Sequence, residues 1–184
     1  INGLYSNILT VLSLAELGLD SAVIYSLYKP VAKDNKPLIA SLIRYFSKIY
    51  TVLAIAIFVL GLAFIPFLKF IIKSNLSQSD LVGYYILFLI NTVSTYFVAH
   101  KVALLFAYQK QRIQKMVSLC SALVLQILHI IVLLIWKNYY IYVITTVSIT
   151  IINCIILGII CDKIHPEIKR CKETVPFDKG PIVQ

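Results

Sequence analysis

The sequence predicts an all-α integral membrane protein, a bundle of five transmembrane helices, and three observations carry that expectation. Of 184 residues, 60% are apolar and 14% charged, with a mean hydropathy of +0.88; a domain that folds in water has a more mixed usage. The apolar residues fall in blocks of about 20, the length that crosses roughly 30 Å of hydrocarbon at 1.5 Å per helical residue. Basic residues gather in alternate connections between the blocks.

The expected spans are 4–28 (a), 49–69 (b), 82–108 (c), 116–136 (d) and 140–161 (e), each bounded by Lys, Arg, Asn, Pro or Asp. Residues 162–184 form a basic tail. Span b carries Pro66 near its end, where a kink is tolerated if neighbouring helices satisfy the freed backbone groups. Between a and b lie Lys29, Lys33, Lys36, Arg44 and Lys48; between b and c, Lys69 and Lys73. Lys110, Arg112 and Lys115 follow c, Lys137 follows d, and Lys163, Lys169, Arg170, Lys172 and Lys179 follow e. The positive-inside rule therefore puts the a–b loop, the c–d loop and the tail in the cytoplasm, with the amino end outside.

The net charge of +9 follows from this topology. Nucleic-acid binding would need a basic folded face with stacking aromatics, and no soluble domain is present to supply it. The run NKPLIASLIRYFSK, residues 35–48, sets Leu38, Ile39, Leu42, Ile43 and Phe46 at helical spacing, with Arg44 and Lys48 on another flank. It reads either as a short helix on the inner leaflet or as a lead into span b. Cys120, Cys154, Cys161 and Cys171 have no CxxC spacing and are expected to be packed thiols rather than metal ligands. No P-loop, HExxH, GxSxG or metal-holding acidic motif occurs, so neither a catalytic site nor a cofactor is expected. The chain opens at Ile1 without an initiator Met and shows no signal-peptide pattern, which suggests a piece of a longer protein.

An ionisable group in a span costs at least about 2.5–3.5 kcal/mol at the bilayer centre, so it implies a partner or a hydrated cavity. Glu16 and Asp20 lie one helical turn apart on one face of span a, as candidates for ion coupling. Span c places His100 and Lys101 roughly 10–12 Å inside its cytoplasmic end. Lys101 has snorkelling as a rival reading and His100 has ordinary packing. Upstream, Asn91, Thr92, Ser94 and Thr95 form a polar patch. Gln126 and His129 share a face of span d, and span e carries Thr145, Thr146, Ser148, Thr150 and Asn153. Such residues commonly join helices. Because span b is almost purely aliphatic while the other four carry polar stripes, the expected arrangement surrounds a hydrated cavity with b facing lipid.

Residues 3–35, GLYSNILTVLSLAELGLDSAVIYSLYKPVAKDN, resemble Wzx-type flippases of the MviN and multidrug-exporter superfamily. The GLYS opening, the LAELGLDSA centre and the SLYKP exit are similar to the second transmembrane helix and first cytoplasmic loop of capsule and O-antigen exporters. The resemblance implies a two-lobed transporter of a dozen or more helices in a bacterial cytoplasmic membrane. It would move undecaprenyl-diphosphate-linked oligosaccharide between leaflets by alternating access. Spans a–e would be helices two to six, and the tail an inter-lobe linker. The implied partners are membrane lipid, the missing carboxyl-terminal lobe and polysaccharide polymerase or assembly proteins. On this reading Lys101 and His100 meet the diphosphate, Asn91, Thr95 and Gln126 bind sugar hydroxyls, and Glu16 and Asp20 couple an ion. The rival class is a non-transporting scaffold or accessory subunit of a polysaccharide-assembly complex, whose polar stripes only pack helices.

Overall fold

In the computed structural model of the chain, residue 10 and residues 19–71 and 78–171 are described. Every element among them is helical: α1 Leu19–Ala32, α2 Lys36–Ile71, α3 Gln78–Ala107, α4 Gln111–Ile135, α5 Tyr139–Ile164 and α6 Pro166–Arg170. Four of them, α2 to α5, are long and apolar enough to cross a membrane. The chain is thus a multi-pass, all-α membrane protein in which spans b, c, d and e each correspond to one helix. Of span a only residue 10 and its end, in α1, are among the described residues, so four of the five expected spans are shown. Glu16, Lys73 and the tail from residue 172 lie outside the described residues.

Three tight turns set the helix directions. Each contains one residue in the left-handed region, Asp34 (φ 47°), Gln109 (φ 57°) and Lys137 (φ 48°). Backbone N–H groups reach back five residues to close the preceding helix, from Asn35 to Pro30 (3.1 Å), Lys110 to Leu105 (2.8 Å) and Lys137 to Val132 (3.2 Å). Such closure satisfies carbonyls that a helix end otherwise strands. Asn side chains start the next helices: Asn35 accepts from the Leu38 N–H (3.2 Å) and Asn138 from the Tyr140 N–H (2.8 Å). Connections this short leave successive helices antiparallel, so α3 and α5 run parallel to each other.

The run at residues 35–48 is continuous with span b in α2, which makes it a lead into that span rather than a separate helix on the leaflet surface. Within α2, Ile39, Phe46, Tyr50, Ala54, Ile57 and Gly61 recur at helical spacing and are buried. They face α1 and α3, whose own buried residues include Val23, Leu27, Tyr85, Leu89 and Leu105. The aliphatic span b is therefore part of the core and does not simply face lipid. The physical reason is that membrane helices associate through close van der Waals fit, so a lack of polar residues does not mark a lipid face. The outermost long helix is α4, where His129 and Val132 are the buried positions. Its Met116, Leu119, Leu123, Ile127, Ile130 and Leu134 form an exposed apolar stripe, suited to acyl chains.

The end bearing the α1–α2 turn, the α3–α4 turn and the close of α5 is clasped by α6. Lys36 forms an ion pair with Glu167, the Arg44 guanidinium donates to the Cys171 carbonyl (2.7 Å), and Ile168 is buried. His165 stacks on Tyr108 with ring centroids 4.1 Å apart, and Lys110 lies over the same ring. Helix α5 thus runs to Ile164, three residues past the expected end of span e, and α6 follows it.

This clasp is pH-sensitive in one direction. Burial, with help from Lys110, pushes the His165 imidazole below its usual range, and the Lys36 ammonium holds the Glu167 carboxyl below its own. A group whose folded pKa is depressed contributes stability above its unfolded pKa and loses it as pH falls. Acidification should therefore loosen α6 in two stages, first below about pH 6.5 as His165 charges and then below about pH 4.3 as Glu167 protonates. Hydrogen-exchange protection factors of the amides of residues 167–171, which correct for the intrinsic slowing of exchange in acid, should fall in those windows while α3 stays protected. Uniform exchange across both regions would contradict it.

Candidate functional site

Between α1 and α2 on one side and α4 and α5 on the other, α3 forms the floor of a cleft of about 580 Å³. Its polar lining consists of Asp20, Tyr50, Thr92, Thr95, Gln114, Ser118 and Asn153, with Ile24, Tyr96, Val102 and Phe106 among its apolar and aromatic walls. Each helix supplies its share by periodicity. On α3, Thr92, Thr95, Tyr96, Ala99 and Ala103 recur every three or four residues. Small residues at positions 99 and 103 leave room above the floor.

Among the described residues Asp20 is the one charged group lining the cleft, and it accepts a hydrogen bond from the Tyr50 hydroxyl of α2. Its partner is thus a tyrosine of the neighbouring helix. Thr92 and Thr95 donate to the Phe88 and Thr92 carbonyls at 3.1 and 2.7 Å, which leaves their oxygen lone pairs toward the cleft. Asn153 accepts from Ser121 (3.1 Å), tying α5 to α4, and Gln114 donates to Ser118 (3.4 Å). Amides and hydroxyls of this kind both give and accept hydrogen bonds, matching a ligand rich in hydroxyl groups.

The other expected residues are placed elsewhere. Lys101 points away from the cleft and pairs with Asp162 of α5 at 2.8 Å, with the Gly158 carbonyl 3.5 Å from its Nζ. Its charge is answered within the chain, as neither simple snorkelling nor a free cation would have it. His100 is buried, and its Nδ1 has no hydrogen-bond partner; the buried Asn91 Oδ1 lacks one too. Neither residue lines the cleft. Gln126 is exposed on α4, whereas His129, expected on the same face, is buried against Tyr142 (centroids 3.8 Å) with Nε2 3.0 Å from the Thr146 hydroxyl. A three-residue step turns a helix by 300°, so one of the two can be buried while the other is not.

Of the expected set, the cleft unites Asp20 and Thr95. It adds Tyr50, Gln114, Ser118 and Asn153, of which only Asn153 belonged to a polar stripe noted in the sequence. Asp162 was also missed, although a signal existed: c and e both run toward the same side, and opposite charges stand near their ends. Among the described residues no group of His, Cys, Asp or Glu is arranged to hold a metal ion. The chain matches no known family model, no curated protein and no solved structure.

Proposed function

We propose that this chain is part of a transporter lobe that moves a lipid-linked oligosaccharide across a bacterial cytoplasmic membrane. The observation that carries the reading is the cleft: five helices contribute hydroxyl, amide and carboxylate groups to one aromatic-walled space within a membrane bundle. Gln114, Ser118, Asn153 and Thr95 bind sugar hydroxyls, and Tyr50, Tyr96 and Phe106 offer ring faces to the apolar faces of sugars. The resemblance of residues 3–35 to Wzx-type flippases supports the same substrate class. The basic residues gathered by the α6 clasp support an orientation with that end in the cytoplasm and the amino end outside.

No Lys, Arg or His lines the cleft among the described residues. On this reading the diphosphate is met by cations contributed by the rest of the transporter, and Lys101 and His100 serve the packing of α3. Asp20 is the carboxylate placed to couple a proton or sodium ion, with Glu16 beside it in sequence.

The scaffold reading draws on a different observation: Thr92, Ser94, Thr95, Thr145, Thr146 and Thr150 all bond to carbonyls of their own helices. Stripes satisfied in this way need no ligand. Single cysteines at positions 95 and 118, in a protein otherwise free of cysteine, separate the two. A charged water-soluble thiol reagent should modify both and leave a cysteine at position 134, on the acyl-facing stripe, untouched. In cells making the full-length protein at normal level, Asn153→Phe should abolish surface glycan export while α4 and α5 remain folded. Unreactive thiols at 95 and 118 together with intact export would sink the transport reading.

A further inference from the structure

The opposite face of the α3–α5 pair holds a second concavity. A groove of about 420 Å³ runs between Phe97, Ile151, Ile155 and Ile159, past Gly158, and ends on Lys101 and Asp162. Phe97, Ile155 and Ile159 are at least half exposed, so the groove opens outward from the bundle.

Three features define what fits it. The first is depth. From Ile151 to Asp162 the α5 wall rises roughly 16 Å at 1.5 Å per residue, close to the hydrocarbon thickness of one leaflet. Asp162 stands two residues before the end of α5 and Ile151 near its middle, so a bilayer centred on α5 sets the first near the headgroups and the second near the midplane. The second is charge. Lys101 and Asp162 are 2.8 Å apart and keep about a quarter of their side-chain surface open (28% and 25%). A cation and an anion side by side complement a headgroup that itself carries a phosphate and an ammonium. The third is clearance. Gly158 has no side chain, and a Cβ there would stand 3.8 Å from Lys101 Nζ, so the absent side chain keeps the apolar track continuous with the ammonium.

We propose that this groove is a binding site for one zwitterionic phospholipid with a primary-ammonium headgroup, of the phosphatidylethanolamine type. An acyl chain lies along Phe97, Ile151, Ile155 and Ile159. The phosphate accepts from Lys101, and the headgroup ammonium donates to Asp162. Arg44, in a neighbouring cavity that shares the pair, donates to the carbonyls of Ala40 (3.2 Å) and Cys171 (2.7 Å), so its donors point into the clasp. An anionic lipid would gain Lys101 but face Asp162. The site lies across the α3–α5 seam from the transport cleft, with Val98 and Cys154 lining both, and stands whether or not the chain moves a substrate.

The test is native mass spectrometry of the full-length protein, equilibrated in mild detergent with equimolar phosphatidylethanolamine, phosphatidylglycerol and phosphatidylcholine. Phosphatidylethanolamine should be retained over each of the others by about fivefold, the selectivity a partly exposed charge contact supplies. Asp162→Asn should shift the preference to phosphatidylglycerol, because Lys101 is then unopposed. Gly158→Leu should cut retention of all three by filling the track. Equal retention by the unaltered protein, a preference for phosphatidylglycerol, or an Asp162→Asn protein that still selects phosphatidylethanolamine would overturn the assignment. So would lipid-free dimers whose contact maps to α3 and α5, since the groove would then seat another copy.

Discussion

Replacing Lys101 by Met alone should lower the stability of the bundle by about 2 kcal/mol, because Asp162 is left as a poorly solvated carboxylate without its counter-ion. The effect is set below that of a fully enclosed pair because both side chains keep about a quarter of their surface open. Combining Lys101→Met with Asp162→Leu should restore most of the loss, since two apolar side chains can pack against α3 and α5 with no charge to answer. Equilibrium unfolding in mixed micelles would measure the cycle. Simple addition of the two single losses would show that the pair is not coupled.

Tyr85→Ala should have a larger effect, about 3–4 kcal/mol, by opening a cavity where α2 meets α3. Tyr85 is fully buried and its hydroxyl donates to the Gly61 carbonyl at 3.0 Å. Tyr85→Phe keeps the ring and removes only this second hydrogen bond to a carbonyl that α2 already uses, for a loss of about 1 kcal/mol. From the other side of the same contact, a Cβ on Gly61 would sit 2.5 Å from Leu89 Cδ1. Gly61→Leu should therefore force the helices apart, with a cost of about 1–3 kcal/mol. The same unfolding measurement ranks the three, and a Tyr85→Ala protein as stable as the Tyr85→Phe protein would show that the site collapses without a cavity.

The parts of this structure that were legible in the sequence are those fixed by composition and local chemistry. Blocks of about 20 apolar residues gave helices in the right order, and Asn35 and Asn138 sit where helix-starting residues belong. Lateral arrangement was harder to read. Polar content suggested that span b faces lipid, and Val52, Ile55, Val59 and Leu60 are exposed, yet Tyr50, Ala54 and Ile57 on its other face are buried, while α4, with Gln126 and His129, lies outermost. In a membrane, apolar surface loses little by facing either lipid or protein, so hydropathy cannot rank the two. The candidate site was legible in part for a related reason. Asp20 and Thr95 stood out as polar groups in apolar surroundings, whereas Gln114 and Ser118 lie near a helix start, where polar residues are ordinary. The partner of Lys101 depended on α3 and α5 being packed side by side, which the helix directions alone do not fix.

The length of α2 has a mechanical consequence. Its 36 residues make a rod of about 54 Å at 1.5 Å per residue, well beyond the hydrocarbon thickness. One end carries Lys36 and Arg44, gripped by α6, and further along Tyr50 holds Asp20 in the cleft. A rod tilted by about 5° around its middle carries each end roughly 2 Å sideways but moves Tyr50, about 5 Å from that middle, by only about 0.5 Å. Tyr50 therefore sits near the pivot: a force applied through α6 swings the ends of the rod while the tyrosine that orients the carboxylate stays nearly in place.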